Sequence, residues 1–219
     1  MKKYAVLVAG GIGTRMNSSL PKQFLLIKEK PILFYTINTF LKAYPEIEII
    51  LVLPEAFIEL GQKIIDDYFF QSKISISIGG ETRFHSVQNG LKMVKDESVV
   101  FVHDAVRCLI SDDLIKKCFE NTIIHGSAIP VVFSKDSVRI VKENSHQIID
   151  RKTIALVQTP QVFLSKHILP SFEVGYNEKF TDEASVVEDN GIKVHLIDGE
   201  ENNIKITTPL DLIFAEQLL

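Results

Sequence analysis

Continuous apolar runs alternate with helical segments along the first 133 residues of this chain. A strand with no polar side is covered on both faces, which is typical of a parallel sheet between two layers of helices. The alternation predicts an α/β fold with a doubly wound, mostly parallel sheet and ligands at the carboxyl ends of its strands. The predicted strands are residues 3–9, 47–53, 74–78, 99–102 and 127–133, and the predicted helices are residues 32–43, 56–70, 83–94 and 112–125.

The composition limits the partners and the compartment. At 219 residues the chain suits a single domain, and its formal net charge of -4 offers no broad positive surface for nucleic acid. No apolar run approaches the ~20 residues of a membrane-spanning helix, and no signal peptide is visible. The two cysteines cannot form a disulfide framework. We therefore expect a cytoplasmic protein without a nucleic-acid or membrane partner.

One segment, residues 134–151, breaks the alternation. Its central part, "DSVRIVKENSHQIID" at residues 136–150, has two β-rich runs around a polar turn at residues 142–147, which predicts a β-hairpin. An isolated hairpin is marginally stable in water, so it should pack against another surface. We expect that surface to belong to a second subunit, with residues 134–151 as a dimerisation arm.

A glycine-rich turn, "AGGIGTRM" at residues 9–16, follows the first predicted strand. Glycines permit a sharp turn and let backbone N–H groups approach phosphate oxygens. The dinucleotide-binding fingerprint fails because Met16 stands where a small residue is needed, and the Walker phosphate loop fails because the G-K-[ST] triplet is absent. The candidate nucleotide-binding residues of this turn are Ala9, Gly10, Gly11 and Gly13.

Two cations accompany these glycines, Arg15 in the turn and Lys22 in "PKQF" at residues 21–24. A glycine-rich segment that carries both cations could wrap a triphosphate and neutralise it. The alternative is a tight strand–helix turn with solvated charges, but the position at a strand end favours phosphate binding.

Further polar groups follow other strands. Gly79 and Gly80 follow the third predicted strand, and His103 and Asp104 follow the fourth. Asp104 is a candidate to bind Mg²⁺ or a ribose, and the alternative is a turn cap. His103 is predicted to be structural, because the six histidines show no zinc-binding spacing.

Near the C-terminus, Lys205 alternates with two isoleucines in "NNIKITTP". The alternation predicts a strand whose lysine faces away from the isoleucines, and the alternative to a functional role is a solvated lysine on an edge strand. The acidic block "TDEASVVE" at residues 181–188 suits a helix N-terminus better than a catalytic base.

Six sequence blocks then point to a known family. They are "AGGIGTRM…PKQF", "GGETRFHSVQNGL", "VHDAVR", "DRKTIALVQTPQVF", "TDEASVVEDNG" and "NNIKITTPLDL". In this order they resemble the 2-C-methyl-D-erythritol 4-phosphate cytidylyltransferases of the non-mevalonate isoprenoid pathway, over residues 4–219. The resemblance implies a Rossmann-like nucleotidyltransferase fold, a homodimer made through a β-arm, and CTP with a divalent cation, usually Mg²⁺. It also implies attack by the phosphate of a polyol phosphate on the α-phosphorus of CTP, with release of pyrophosphate.

The resemblance also assigns site residues. It places the catalytic cations on Arg15, Lys22 and Lys205. It places nucleotide binding in the glycine-rich turn and on Gly80, Glu81, Ser86 and Asp104, with Arg83 close by. The substrate-binding positions that it implies are Asp104, Arg107, Ser137, Arg151 and Asp182, with Ser137 and Arg151 reaching the neighbouring subunit. Asp104 is also the candidate metal contact, the metal being held mainly by the CTP phosphates.

The chain departs from the family pattern at several positions. Ser137 replaces a frequent Thr but keeps the hydroxyl group, and Cys108 replaces a frequent Pro after Arg107, which leaves that loop less restricted. Neither change removes a proposed catalytic group. The nearest alternative function is a ribitol-5-phosphate cytidylyltransferase. More distant alternatives are a nucleotide-binding regulatory module without turnover and a Rossmann dehydrogenase.

Overall fold

A mixed, mostly parallel sheet forms the centre of the computed structural model, which describes residues 1–10 and 20–219. Its strands follow the order β5-β4-β1-β6-β11-β7, and β10 and β12 also pair with β7. All neighbouring pairs from β5 to β6 are parallel, whereas β11 runs antiparallel to both β6 and β7. The strands are β1 (Lys2–Val8), β2 (Leu26–Ile27), β3 (Lys30–Pro31), β4 (Glu48–Leu53), β5 (Ile74–Ile78), β6 (Ser98–Asp104), β7 (Ser127–Phe133), β8 (Val138–Lys142), β9 (Ser145–Ile149), β10 (Ala155–Val157), β11 (Gln161–Leu164) and β12 (Leu196–Asp198).

Helices cover both faces of this sheet. They are α1 (Ile32–Ala43), α2 (Ile58–Tyr68), α3 (Arg83–Leu91), α4 (Asp112–His125), α5 (Ser165–Ser171), α6 (Glu183–Asp189) and α7 (Pro209–Leu218). Ala5 and Leu7 of β1 pack in a core with α1, α2 and α4, whereas Tyr4 and Val6 pack in a second core with α3, α5 and α6. Both sides of the strand are therefore buried, which explains its continuous apolar sequence. The prediction of a doubly wound α/β fold is confirmed.

A smaller core links the C-terminal helix to the carboxyl rim of the sheet. Ile206 and Ala215 pack there with Ile32, Val106 and Cys108. Full burial of an isoleucine side chain contributes roughly 1.5–3 kcal/mol. Ile206 is fully buried, so its packing holds the segment around Lys205 close to the end of β6.

Local capping explains where several helices begin. Ser111 accepts a hydrogen bond from the Leu114 N–H at 2.9 Å and caps the start of α4. That helix ends at Gly126, whose φ of 85° is the left-handed conformation that glycine adopts without strain. Within the described ranges 1–10 and 20–219, no helix is long and apolar enough to span a membrane.

Some predicted boundaries are wrong. The segment at residues 56–70 is a 3-10 turn, Glu55–Phe57, followed by α2, and α3 ends at Leu91 rather than at residue 94. Strand β6 extends to Asp104, so His103 and Asp104 are its last two residues rather than residues of a following turn. Strand β6 continues beyond its apolar run because its backbone stays paired with β1, which extends to Val8.

Outside the main sheet, β8 and β9 pair as an antiparallel hairpin. The turn is narrower than predicted, since the strands extend to Lys142 and restart at Ser145. Polar residues can continue these strands because most side chains on both faces of the hairpin are exposed in the described part of the chain. Val141 and Ile148, which lie on the same face, are 78% and 69% exposed. The role of this hairpin as a dimerisation arm, and the assignment of residues 1–219 to one domain, stay predictions.

Candidate active site at the carboxyl rim of the sheet

Four strand ends meet at the carboxyl rim. The Ala9 N–H, just after β1, donates to the Val52 carbonyl at 2.9 Å. The Gly79 N–H, after β5, donates to Leu53 at 2.7 Å, and the Ala105 N–H, after β6, donates to Val8 at 3.0 Å. These bonds bring the polar groups that follow distant strands to one edge, as the parallel topology predicts.

Glycines pack tightly around Ser86 at this edge. A Cβ atom on Gly10 would lie 2.9 Å from the Ser86 hydroxyl, and one on Gly80 would lie 2.4 Å from His85. The buried Ser86 hydroxyl accepts from the Gly80 N–H at 3.1 Å and lies 3.0 Å from the Thr82 carbonyl. Only glycine fits these positions, so the two loops form a compact corner. Glu81 is exposed beside that corner.

The segment at residues 20–25 folds back onto the same rim. Gln23 is almost fully buried, and its amide donates to the Ala9 carbonyl at 2.7 Å. Lys22 donates from Nζ to the Ile206 carbonyl at 3.1 Å. Since Ile206 directly follows Lys205, the two predicted catalytic lysines lie on segments that contact one another despite 183 residues of separation in sequence.

Asp104 lies where these segments meet. Its Oδ2 atom is 2.9 Å from Lys205 Nζ and 3.6 Å from Arg107 Nε, and its Oδ1 atom accepts two bonds of 3.2 Å from Arg83. Burial alone would raise the pKa of Asp104, but Arg83 and then Lys205 outweigh it and hold the pKa well below its ordinary value. Asp104 is therefore an ionised anchor for three cations, and the alternative of a turn cap is wrong.

Arg83 connects Asp104 to a second buried acid. Its guanidinium makes a two-pronged contact with Glu183, through Nη1 to Oε1 and through Nη2 to Oε2 at 3.1 Å. Burial lowers the pKa of Arg83, but Glu183 and Asp104 more than offset this and keep the guanidinium charged. Burial raises the pKa of Glu183, and Arg83 opposes that rise.

The loop that carries Lys205 is held by side-chain amides. Gln158 donates to the Glu200 carbonyl at 2.7 Å and accepts from the Glu200 N–H at 3.1 Å. Asn203 donates to Thr159, and Arg107 donates to the Asn203 carbonyl at 2.7 Å. The backbone around Lys205 is irregular rather than a strand, because these side chains take its polar groups. The strand prediction is wrong there, although Ile206 is buried and Lys205 is 40% exposed, as the alternation implies.

His103 lies beneath Asp104 and is fully buried. The Thr159 hydroxyl accepts from the Asp104 N–H at 3.0 Å, so its proton is directed to His103 Nδ1 at 3.1 Å. The other ring nitrogen, Nε2, then donates to the Arg107 carbonyl at 3.3 Å. Burial lowers the pKa of His103 to about 3, so the ring is neutral and structural.

Asp182 serves as the N-cap of α6. Its carboxylate accepts from the Ser185 N–H at 2.9 Å and from the Gln161 amide at 2.9 Å, and Ser185 completes a capping box. The sequence predicted that the acidic block begins a helix, and the structure identifies Asp182 as the residue that caps it. A contact between Asp182 and substrate stays a prediction.

Ser137 and Arg151 lie at the base of the hairpin, just before β8 and just after β9. Both are exposed, and Arg151 donates to the Lys135 carbonyl at 2.6 Å. In the part of the chain that the structure describes, no hydrogen bond or ion pair joins either residue to Asp104 or Lys205. Gly11, Gly13 and Arg15 lie outside the described residues.

The side chains available as metal ligands indicate how the expected divalent cation could be bound. Residues 1–10 and 20–219 contain no group of three or more His, Cys, Asp or Glu side chains able to hold a metal ion. Asp104 can offer one carboxylate, and Mg²⁺ is commonly bound through one or two carboxylates plus substrate phosphates. The residues therefore fit a cation that arrives on a triphosphate better than one held in a protein cage.

Sequence reasoning missed several residues that build the site. Glu183, Gln158 and Asn203 are buried and polar, and each holds a predicted site residue or its loop. Their signal in the sequence is weak, since an isolated Gln or Asn is usually an exposed residue. Only the fold shows that they are buried.

A glycine corner and converging lysines at the carboxyl rim of a doubly wound sheet fit a nucleotide-binding α/β protein. A model of the IspD family, 2-C-methyl-D-erythritol 4-phosphate cytidylyltransferase, matches residues 4–219, and the chain belongs to this family. The enzyme of that name from Bacteroides fragilis is 43% identical over 219 residues, with 100% of both chains covered.

Solved structures agree with this assignment. The 4-diphosphocytidyl-2C-methyl-D-erythritol synthase of Anaerococcus prevotii is 29% identical, with a TM-score of 0.85 and coverage of 99% of this chain and 95% of that one. The 2-C-methyl-D-erythritol 4-phosphate cytidylyltransferase of Francisella tularensis is 33% identical, with a TM-score of 0.82 and full coverage of both chains. The family assignment does not favour the dehydrogenase, the module without turnover or the ribitol alternative.

Proposed function

We propose that this protein transfers a cytidylyl group from CTP to 2-C-methyl-D-erythritol 4-phosphate, giving CDP-methylerythritol and pyrophosphate. The observation that carries the proposal is the meeting of Lys22, Lys205 and Asp104 beside the glycine corner. Family membership over residues 4–219 supplies the identity of the substrates.

The chemistry needs no protein nucleophile. A phosphate oxygen of the substrate forms a bond to the α-phosphorus of CTP, and the bond from that phosphorus to the bridging oxygen breaks, so pyrophosphate leaves with the electron pair. Catalysis is then the positioning of two anions and the stabilisation of charge. Lys22 and Lys205 are placed to supply that charge, and Arg15 is the third cation that the resemblance implies. A divalent cation bound by the CTP phosphates would neutralise further charge, with Asp104 as its protein contact.

The nucleotide is expected to lie against the glycine corner. Backbone groups of Gly10 and Gly80 border the corner, and Glu81 is exposed beside it. The resemblance assigns Ser86 to cytosine binding. Its hydroxyl group, however, is hydrogen-bonded to Gly80 and Thr82. We therefore assign Ser86 the role of shaping the loop that contacts the base. Arg107 likewise holds the Lys205 loop and orients Asp104, in addition to any contact with substrate.

A panel of nucleotides and polyol phosphates tests the reaction. Purified protein with Mg²⁺ should release pyrophosphate from CTP with 2-C-methyl-D-erythritol 4-phosphate, and much more slowly with ATP, GTP or UTP. Ribitol 5-phosphate should be a poor acceptor. Faster turnover with ribitol 5-phosphate would transfer the assignment to the alternative enzyme, and no release with any pair would refute the function.

We also propose a homodimer in which Ser137 and Arg151 complete the partner's site. The support is their exposure at the base of a hairpin whose strands are themselves largely exposed. Lys22→Ala and Arg151→Ala proteins should each be nearly inactive. Mixed through unfolding and refolding, they should regain about a quarter of wild-type activity, because half of the dimers are hybrids and each hybrid has one intact site. Hybrids that form but stay inactive would contradict the shared site.

A further inference from the structure

Glu183 is a buried acid that the proposed reaction does not use. It is 1% exposed, and both carboxylate oxygens face Arg83, which lies 100 residues earlier in the chain. A buried carboxylate is costly unless it is paired, and a buried ion pair is often no more stabilising than apolar residues of similar size. The pair therefore needs an explanation other than stability.

The N-terminus of α6 does not explain Glu183. Asp182 and Ser185 already cap that helix through a capping box, and Gln161 accepts the Ala184 N–H at 2.7 Å. The Glu183 side chain instead leaves the helix and makes its contacts with α3. Its partner is thus a residue of the site rather than the helix that it begins.

A continuous chain of charged contacts leads from Glu183 to Lys205. Glu183 holds Nη1 and Nη2 of Arg83, while Nε and Nη2 of the same guanidinium hold Oδ1 of Asp104. Oδ2 of Asp104 holds Lys205 at 2.9 Å. An arginine fixed by two acids presents a rigid fork, so it determines where the Asp104 carboxylate lies.

We propose that Glu183 is a positioning residue for the transfer reaction, fixing Lys205 through Arg83 and Asp104. The inference rests on the proposed function of Lys205. Without the Glu183 charge, Asp104 is the one anionic partner left to Arg83 within residues 1–10 and 20–219, and Arg83 draws that carboxylate towards itself. Lys205 then loses its fixed position relative to the α-phosphate, which affects the transition state more than the binding of CTP.

Glu183→Gln tests this assignment, because glutamine keeps the shape and removes the charge. We expect kcat to fall roughly 10- to 100-fold, as displacement of a reacting group commonly does, with KM for CTP within about twofold of wild type. The exposed Glu188 of the same helix provides a matched control, and Glu188→Gln should leave kcat unchanged. Rates are to be expressed per folded protein, with thermal melting as the measure of folding.

A double variant separates positioning from a general loss of structure. If Glu183 acts through Lys205, adding Glu183→Gln to Lys205→Ala should lower kcat by less than about twofold, because residues of one salt-bridge network are not additive. Independent losses that multiply would overturn the proposal. Should Glu183→Gln not fold, Glu183→Asp keeps the charge but shortens the reach to Arg83. It is expected to lose kcat without loss of CTP binding, and normal turnover would overturn the proposal equally.

Different results would refute the proposed function and the role of Glu183. A wild-type protein that releases no pyrophosphate would refute the proposed function itself. Active wild type with an equally active Glu183→Gln variant would refute only the role of Glu183.

Discussion

The carboxyl rim and the hairpin arm differ in how far their side chains are buried and paired within the chain. At the rim, Asp104 and Glu183 are buried, and every charge in their network has a partner within the same chain. On the arm, Val141 and Ile148 are mostly exposed among the residues that the structure describes. This difference is what the proposed dimer implies, with the nucleotide half of the site built by one chain and the arm packed against a second subunit.

This contrast fits a two-substrate reaction. The rim brings together the lysines and glycines suited to a triphosphate, and the proposed arm residues Ser137 and Arg151 remain exposed for the second substrate. Under the proposal, the rim lysines of one subunit and Arg151 of the other reduce the repulsion between the two anionic substrates. Substitutions at the rim and on the arm test whether the rim depends on its own chain alone and whether the arm depends on a second subunit.

The largest effect is expected at the rim, from Lys205→Ala. Removal of one preorganised donor in other enzymes raises the barrier by ~2.7–4 kcal/mol, so kcat should fall about 10²- to 10³-fold. Steady-state pyrophosphate release measures it, and circular dichroism should show an unchanged fold, since Lys205 is partly exposed. The exposed Lys193→Ala is the matched control and should behave as wild type. Near-normal turnover of Lys205→Ala would remove the lysine from the mechanism.

A smaller effect, on stability, is expected from the buried His103. Its pKa is lowered from 6.5 to about 3 in the folded protein, so the unfolded chain binds more protons between these values. Stability from this residue is complete above pH 6.5 and is lost as the pH falls, by roughly 2–3 kcal/mol at pH 4.5. Chemical denaturation from pH 7 to 4.5 measures the slope.

Matched histidine variants identify the source of that slope. His103→Gln removes the titrating group and should flatten the dependence, even if it lowers stability at pH 7. His146→Gln, on the exposed arm, should leave the slope unchanged. An unchanged slope in His103→Gln would show that the rim does not hold a neutral histidine.

The same contrast explains what the sequence could predict. Apolar strands and glycine turns are local signals, so the parallel sheet, several element boundaries and the lysine positions follow from pattern or resemblance. Glu183 could not be assigned, because its burial and its pairing with Arg83 depend on the packing of α6 against α3. The irregular backbone at Lys205 was also missed, because distant side chains such as Gln158 and Arg107 replace the expected strand partners.

The smallest effect is expected on the arm, from Val141→Asp. Val141 is 78% exposed within the chain, so the substitution should leave the melting of the isolated subunit unchanged, yet a charge placed in an apolar subunit interface should weaken the dimer at least about tenfold. Sedimentation over a range of concentrations measures this. Ile124→Asp is the matched control, because Ile124 is 73% exposed on α4, away from the arm. Activity of Val141→Asp should fall at low protein concentration and return at high concentration, which loss of a catalytic group would not produce. A dimer that withstands Val141→Asp but dissociates with Ile124→Asp would place the interface on α4 and leave the arm without its proposed partner.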